Sequence, residues 1–397
     1  MKIYQQTLIR NHLALLCLAF SFFLISCSQK NKPHLDIFQK TLWSQSDSSY
    51  TNFRIPSLIV TKKGTVLAFA EGREGGDTGD IDLIMKRSTD HGKTWSEQTV
   101  IWDDNDNTCG NPCALVDQTT GRIFLFMTWN LGSDHESAII SKKSKNTRIP
   151  YMCYSDDDGL SWSVPKNLYD SSKVPEWGWY ATGPGIGIQL TSEKYKNRLI
   201  IPCNNSYEAK NSEDAIRGNF GYGSHVLISD DSGENWRMSE LIAPRVNESQ
   251  IIELEDGVLQ MNMRSYHDQS ARAISLSFDG GETWSDVKHD KQLVESICQA
   301  SILNFGKFEN RPLYLFSNPA VAKGRSHMTI NASFNAGKYW SNSKLISANP
   351  SAYSCLTALA NGKVGLFFET GSKNPYEQML FVSFEPAELF KKGALLP

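Results

Sequence analysis

Eight cysteines occur among the 397 residues, and none stands at zinc-ligand spacing. CGNPC (109 to 113) leaves three residues between its cysteines, one of them Pro112, where a redox Cys-x-x-Cys leaves two. Cys109, Cys113, Cys153, Cys203, Cys298 and Cys355 read as buried small hydrophobes, although an oxidising compartment would permit one or two disulfides among them. Neither sign of charge is in excess: 40 Lys and Arg against 43 Asp and Glu leave −3, which excludes a general polyanion-binding surface and with it nucleic acid as a partner. There is no HExxH and no Walker loop. The GPGIG run at 183 to 187 lies in a β context with no helix after it, so neither a metal nor a cofactor is expected. Long helical periodicity is missing as well; EDAIRG (213 to 218) and PAELFKKG (386 to 393) amount to single turns or short helices. What remains is an all-β chain whose 40% hydrophobic content is ample for a packed core.

The longest apolar run, LALLCLAFSFFLI (13 to 25), is short for a membrane span and follows Lys2 and Arg10, the pattern of a targeting segment. Leu24-Ile25-Ser26-Cys27 after it resembles a bacterial lipobox. That resemblance implies a lipoprotein signal peptide over 1 to 27, cleavage before Cys27, and a lipid on Cys27 as the one membrane contact. Ser28 is not the Asp that favours inner-membrane retention, so the expected location is the bacterial cell envelope, as an outer-membrane lipoprotein. A polar linker over 28 to 37 precedes a single body over 38 to 397, and DIFQKTLW (36 to 43) predicts a strand.

Five copies of one pattern organise that body: STDHGKTW (88 to 95), SDDDGLSW (155 to 162), SDDSGENW (229 to 236), SFDGGETW (277 to 284) and SFNAGKYW (333 to 340). An Asp or Asn two residues before Gly supplies acceptors for turn amides and a position tolerant of positive φ, and the Trp offers an apolar plug. Each copy follows a strand-like run such as HVLIS or MTINAS. The irregular spacing suits one sheet unit plus variable loops, as in radially repeated sheets. Asn335, standing where the other copies have Asp, marks the fifth as the one expected to depart in shape. The turns resemble the Asp boxes of sialidases and other β-propellers.

FRIPSLIV (53 to 60) puts Arg54 on an otherwise apolar strand, where an unpaired buried charge costs several kcal/mol, roughly. A buried ion pair would explain Arg54 alone. Arg264 in LQMNMRSY and Arg325 in AKGRSHMTI add two more arginines beside strand-like runs. Together the FRIP element, the Asp boxes and the three arginines resemble the bacterial exo-sialidase family, over about Phe38 to Phe390. The resemblance implies a six-bladed β-propeller that hydrolyses terminal sialic acids from glycoconjugates with retention. Arg54, Arg264 and Arg325 match the three arginines that clamp the sugar carboxylate, a task suited to guanidinium forks.

Within EGREGGDTGDID (71 to 82), Asp77 matches the family's catalytic acid on a loop over the cavity, and Arg73 a further arginine near the sugar's 4-hydroxyl. Asp80 and Asp82 read as solvated loop or strand-end residues. Tyr353 in PSAYSCL matches the nucleophile and Glu248 in RVNESQ its partner base, although Ser249 stands where the family often has Cys. A neutral phenol approaches a carboxylate-bearing carbon without the repulsion an Asp or Glu would meet, and the sialidases are known tyrosine exceptions among glycosidases. Glu369 in LFFETG matches the carboxylate that orients Arg54. Asn111 and Glu136 match polar positions near the substrate. Trp177, Trp179 and Tyr180 either line the aglycone side or plug the fold. An Asp-box lectin and a trans-sialidase stand as alternatives: the lectin gives no reason for Tyr353, Glu248 and Asp77 together, and the transferase would differ only in what accepts the sugar.

Overall fold

The structure, a computed structural model, describes residues 37–47 and 50–396. The expected leader with Cys27, and residues 28 to 36 of the expected linker, lie outside the described residues. Most of what is described is built from antiparallel meanders, in keeping with the all-β expectation; the short pairings of Gly185–Ile186 with Cys113–Ala114 and of Ile81 with Thr108 are parallel. The first runs Asn52–Val60, Val66–Arg73, Ile81–Ser88 and Thr99–Trp102; the second Thr108–Val116, Ile123–Asn130, Ile149–Ser155 and Lys166–Asn167. In the third, the short Tyr180–Thr182 and Ile188–Gln189 flank Leu199–Glu208, with Phe220–Ser229 and Arg237–Met238 beyond. Val246–Glu253, Leu259–Ser265, Ala271–Ser277 and Lys288–Val294 make the fourth. Ser301–Phe308, Arg311–Pro319 and Ser326–Ser333 lead into the long strand Asn342–Ala358, whose second half opens a last group with Val364–Thr370 and Gln378–Phe384. The outer strand of that last group comes from the other end of the sequence: Ile37–Ser44 pairs along Gln378–Phe384.

Apolar side chains alternate along these strands, and six hydrophobic clusters are each shared by two successive meanders. Leu67 and Phe69 of the first pack with Leu125 and Cys153 of the second; Phe124 and Leu115 of the second pack with Leu199 and Leu227 of the third. The series continues through Ile200 with Met261, Ile252 with Phe316, and Leu315 with Phe368. It returns to its start where Phe367 and Phe381 of the last group meet Phe53 and Val66 of the first.

All five Asp boxes connect the third strand of a meander to its outer strand. In the first box the Ser88 hydroxyl donates to Asp90 Oδ1 and accepts from the Gly92 amide, both at 2.8 Å, while Asp90 accepts the Thr94 amide at 2.9 Å. Left-handed backbone at His91 (φ 63°) and Gly92 (φ 89°) turns the chain. A Cβ on Gly92 would lie 2.3 Å from the Phe381 ring, so glycine here lets the turn press onto the neighbouring meander. The fifth box corrects an expectation. Its Asn335 oxygen accepts from Ser333 at 2.9 Å and from the Tyr339 amide at 3.0 Å, because a side-chain amide oxygen serves this turn as well as a carboxylate.

All six cysteines of the body are free and buried, so none of the disulfides allowed from sequence is formed. EDAIRG is an irregular turn, whereas Pro386–Phe390 is a short 3₁₀ helix; the one-turn helices Glu136–Ile140 and Tyr169–Ser172 were not foreseen. No described helix is long and apolar enough to cross a membrane.

Candidate active site

The first strands of four meanders each carry a one-residue bulge at the same level. Two residues of the inner strand face one of its neighbour at Ile55-Pro56, Asn111-Pro112, Asn247-Glu248 and Ala352-Tyr353. Proline, lacking an N–H, fits an unpaired bulge position, which accounts for the second residue of two of these pairs. Ile55 and Asn111 adopt φ of 62° and 56°, and for the β-branched Ile55 this is strained backbone of the kind found at sites. Opposite the latter two bulges stand Arg264 and Glu369. The bulges thus turn the Glu248 side chain toward Arg264 and release the Tyr353 amide from the ladder to Glu369.

The result is a cavity of about 330 Å³ lined by the expected acid, nucleophile, base and four arginines and by Asn111 and Glu136, with Glu369 wholly buried behind it. The Tyr353 hydroxyl donates to Glu248 Oε1 at 2.6 Å, and Arg264 Nη1 reaches both Glu248 Oε2 at 2.7 Å and the Tyr353 oxygen at 3.2 Å. Burial and the Glu248 charge push the phenol well above its ordinary range, against the pull of Arg264, Arg325 and Arg54. Tyr353 is therefore neutral at rest. Arg54 lies over the Tyr353 ring, 5.0 Å from its centroid.

Glu369 ties two of the bulges together. It accepts from Arg54 Nε at 3.1 Å and Nη2 at 3.2 Å, from the Ile55 amide at 2.9 Å and from the Tyr353 amide at 3.0 Å. Burial is the largest influence and alone would lower the Arg54 pKa, but Glu369, Tyr353, Tyr376 and Asp77 together outweigh it and raise the pKa, so the guanidinium stays charged. Arg325 donates to the Tyr376 hydroxyl at 2.7 Å, and among the described residues it has no carboxylate in ion-pair range. The three arginines expected to act together are brought together.

Asp77 stands at the mouth with its side chain 75% exposed, bridged to Arg73 Nη1 at 2.5 Å and Arg54 Nη1 at 3.2 Å. Partial burial raises its pKa, but Arg73 and then Arg54 outweigh that and hold the carboxyl below its usual range. An acid with a raised pKa is thus not what the unliganded site presents; the two guanidinium groups stabilise the carboxylate. Of the two readings of Asp82 the strand-end one holds: it is buried near the start of Ile81–Ser88, accepts the Tyr50 hydroxyl at 2.5 Å, and is pushed up to about 6 chiefly by burial.

The opposite wall was mostly missed. Glu71 accepts Arg73 Nε at 2.7 Å and the Asn111 amide at 2.6 Å. The Asn111 side chain is engaged by Arg148 Nη2 at 2.6 Å, and Arg148 also bonds Thr128 and Asn130. Burial lowers Arg148 to about 10, and its guanidinium stacks 4.2 Å from the Trp179 ring. Glu136, on its one-turn helix, pairs with Arg217 at 3.5 Å. Of the three aromatics with two open readings, Trp179 lines the cavity, whereas Trp177 and Tyr180 pack on His225. A charge inside the apolar strand Val66–Arg73 was the available signal for Glu71, and one immediately before Ile149–Ser155 that for Arg148. Among the described residues no group of His, Cys, Asp and Glu is placed to hold a metal ion.

Comparison with known proteins gives the chain's relatives. A family profile described as "BNR repeat-like domain" matches residues 64–366. The chain is 31% identical over 347 residues to a sialidase of Bacteroides fragilis (strain YCH46), a match covering 82% of this chain and 61% of that protein. Against a sialidase of Clostridium perfringens it is 32% identical over 321 residues, covering 76% and 78%. The chain thus spans about three fifths of the first relative's length. Among solved structures it resembles the Hadza microbial sialidase Hz136 with a TM-score of 0.74 at 29% identity, covering 86% of this chain and 67% of the other.

Proposed function

The chain belongs to the sialidase family of BNR-repeat proteins, and from that premise we propose that it is a retaining exo-α-sialidase acting on sialylated glycans through Tyr353. The carrying observation is the Tyr353–Glu248 contact of 2.6 Å inside a cavity rich in arginine. Arg54, Arg264 and Arg325 receive the substrate carboxylate, Arg325 being the one whose charge no carboxylate engages beforehand. Tyr353 Oη forms a bond to the anomeric carbon as its proton passes to Glu248, and the glycosidic C–O bond breaks as Asp77 protonates the leaving oxygen. Water then attacks the glycosyl-tyrosine, giving a proton to Asp77, while Tyr353 leaves and recovers its own from Glu248. For Asp77 to begin protonated, the arginines must release it. A substrate carboxylate seated on Arg54 does this, since it takes up part of the charge that holds Asp77 ionised.

The six hydrophobic interfaces, each between successive meanders and returning to the first, support reading the body as six blades around an axis. The bulged inner strands would then converge on one axial mouth. Cys27 supplies the lipid anchor and envelope location in this reading, on its lipobox context; replacing it with Ala should move the protein from the membrane to the soluble fraction, and unchanged membrane association would remove the anchor.

Protein lacking residues 1 to 27, incubated with an α-sialoside and followed by NMR, should release the α-anomer of the sugar first. Initial release of the β-anomer would remove the double-displacement mechanism. No release at mild pH would remove the activity.

A further inference from the structure

Inner strands that face an axis have one edge with no neighbouring strand, and their outward-facing amides and carbonyls need other partners. At Tyr353 this matters most, because the bulge also interrupts the ladder on the strand's other side. Ser351 N–H is bonded to the Arg325 carbonyl at 3.0 Å and Tyr353 N–H to Glu369 at 3.0 Å. The next residue, Ser354, is held at both backbone groups by one side chain. Gln299 Oε1 accepts the Ser354 amide at 3.0 Å, and Gln299 Nε2 donates to the Ser354 carbonyl at 3.0 Å. A primary amide reproduces here the paired donor and acceptor of a missing strand. Its second N–H reaches the Pro184 carbonyl at 3.3 Å, within the GPGIG segment that no cofactor explains.

Gln299 is 1% exposed and lies outside the cavity lining. Its neighbour Cys298 packs against Tyr353, Ala352 and Ile55, and the Cys298 carbonyl accepts from Arg272 at 2.8 Å. Arg272 in turn pairs with Glu295, whose other oxygen accepts the Ser265 amide, next to Arg264, at 2.8 Å. Residues 295–299 therefore touch the backbone beside Arg264 at one end and beside Tyr353 at the other. These are two of the three side chains whose contacts of 2.6 to 3.2 Å define the nucleophile.

We propose that Gln299 is a positioning residue for Tyr353, acting as a surrogate strand that fixes the register of the nucleophile bulge against Glu248 and Arg264. This rests on the reading of Tyr353 as nucleophile for its kinetic consequence, but not for its geometric one. Gln299 touches no substrate, so its loss acts on kcat and leaves the carboxylate clamp, and with it KM, in place.

The test uses Gln299→Leu and Gln299→Glu in the protein lacking residues 1 to 27, with steady-state kinetics on an aryl α-sialoside from pH 4.5 to 8 and a crystal structure of the Leu variant. Gln299→Leu should lower kcat about 30- to 100-fold with KM within about threefold, and should show the Tyr353 hydroxyl displaced from Glu248. Gln299→Glu keeps an acceptor for the Ser354 amide but regains the donor to the Ser354 carbonyl only when protonated, and burial favours that form. Its kcat relative to the parent should therefore rise as pH falls, a rescue that a general packing defect would not give. Parent-like kcat in Gln299→Leu, or a constant Glu-to-parent ratio across pH, overturns the proposal. If the parent itself turns over no sialoside, the enzymatic reading fails, and the structure of Gln299→Leu alone decides: an undisplaced Tyr353 overturns the brace, a displaced one upholds it.

Discussion

Replacing Glu369 with Gln separates charge from shape at the most connected side chain of the site. Glu369 is fully buried and accepts four hydrogen bonds, two from Arg54 and one each from the amides of Ile55 and Tyr353. A glutamine offers one acceptor oxygen and turns an NH₂ toward donors, so two of the four lose their partner. Each orphaned buried donor costs about 1–3 kcal/mol. Breaking a buried ion pair by removing one charge costs about 3–5 kcal/mol, and since these losses share the same groups they overlap rather than add. We expect Glu369→Gln to be destabilised by about 3–5 kcal/mol, against a total of about 5–15 kcal/mol for a folded domain, so the variant still folds. With an m-value of about 3 kcal/mol/M, its urea midpoint falls by roughly 1–1.7 M. Arg54 and the Tyr353 bulge lose their common tie, so kcat/KM on a sialoside should fall about 100-fold at a temperature where the variant is folded. Unfolding curves and initial rates on the same preparation test this. A midpoint within 0.3 M of the parent (about 1 kcal/mol), or unchanged kcat/KM, would refute the idea that Glu369 holds the site together.

Tyr353→Phe removes the attacking oxygen and should abolish nearly all hydrolysis, by about 10³-fold or more, with a far-ultraviolet circular dichroism spectrum like the parent's; normal turnover would move the nucleophile elsewhere. The protonated form of Asp77 is disfavoured in the free site by Arg73 and Arg54 and favoured once an anion occupies the arginines, so the basic limb of the pH profile should lie higher for kcat than for kcat/KM, and Arg73→Gln should shift the kcat/KM limb upward. Coincident limbs in the parent would exclude this coupling. In the second box, Asp157→Ala should cost about 1–2 kcal/mol in urea and Asp157→Asn clearly less, because Asn335 already fills this role in the fifth; equal losses would refute it. Asp157 is held down at about 2 by Ser161 and its neighbours, so its contribution is present above the unfolded carboxylate pKa and is lost as pH falls toward 2, which acid titration of the alanine and parent proteins should show.

Much of this was legible because its causes are local. An Asp box closes its hydrogen bonds within seven residues, so its sequence carries its own geometry, and an Arg before Ile-Pro announces both a buried charge and a break in a strand. Glu369 and Arg54 could be paired only through family likeness, being 315 residues apart. Arg148 and Glu71 were legible only as charges in or beside strand-like runs, and Gln299 not at all: their contacts with Asn111 and Ser354 come from elsewhere in the chain, and no motif spacing implies them. Asp77 shows a different limit. Its position was readable from a glycine-rich loop, but its ionisation depends on which guanidinium groups fold back against it, and a linear sequence does not contain that proximity.

The strand Ile37–Ser44 is made first and completes the last meander, with Thr41 bonded to Gln378 across 337 residues. A ribosome must therefore finish nearly the whole chain before this strand has anything to pair with. Such long-range closure is slow relative to local hairpins, and it keeps the two ends of the sheet unsealed while the chain is still emerging. The body therefore becomes resistant to unfolding only after its C-terminal strand arrives, and a chain cut short before Gln378–Phe384 would leave Ile37–Ser44 with no ladder to join.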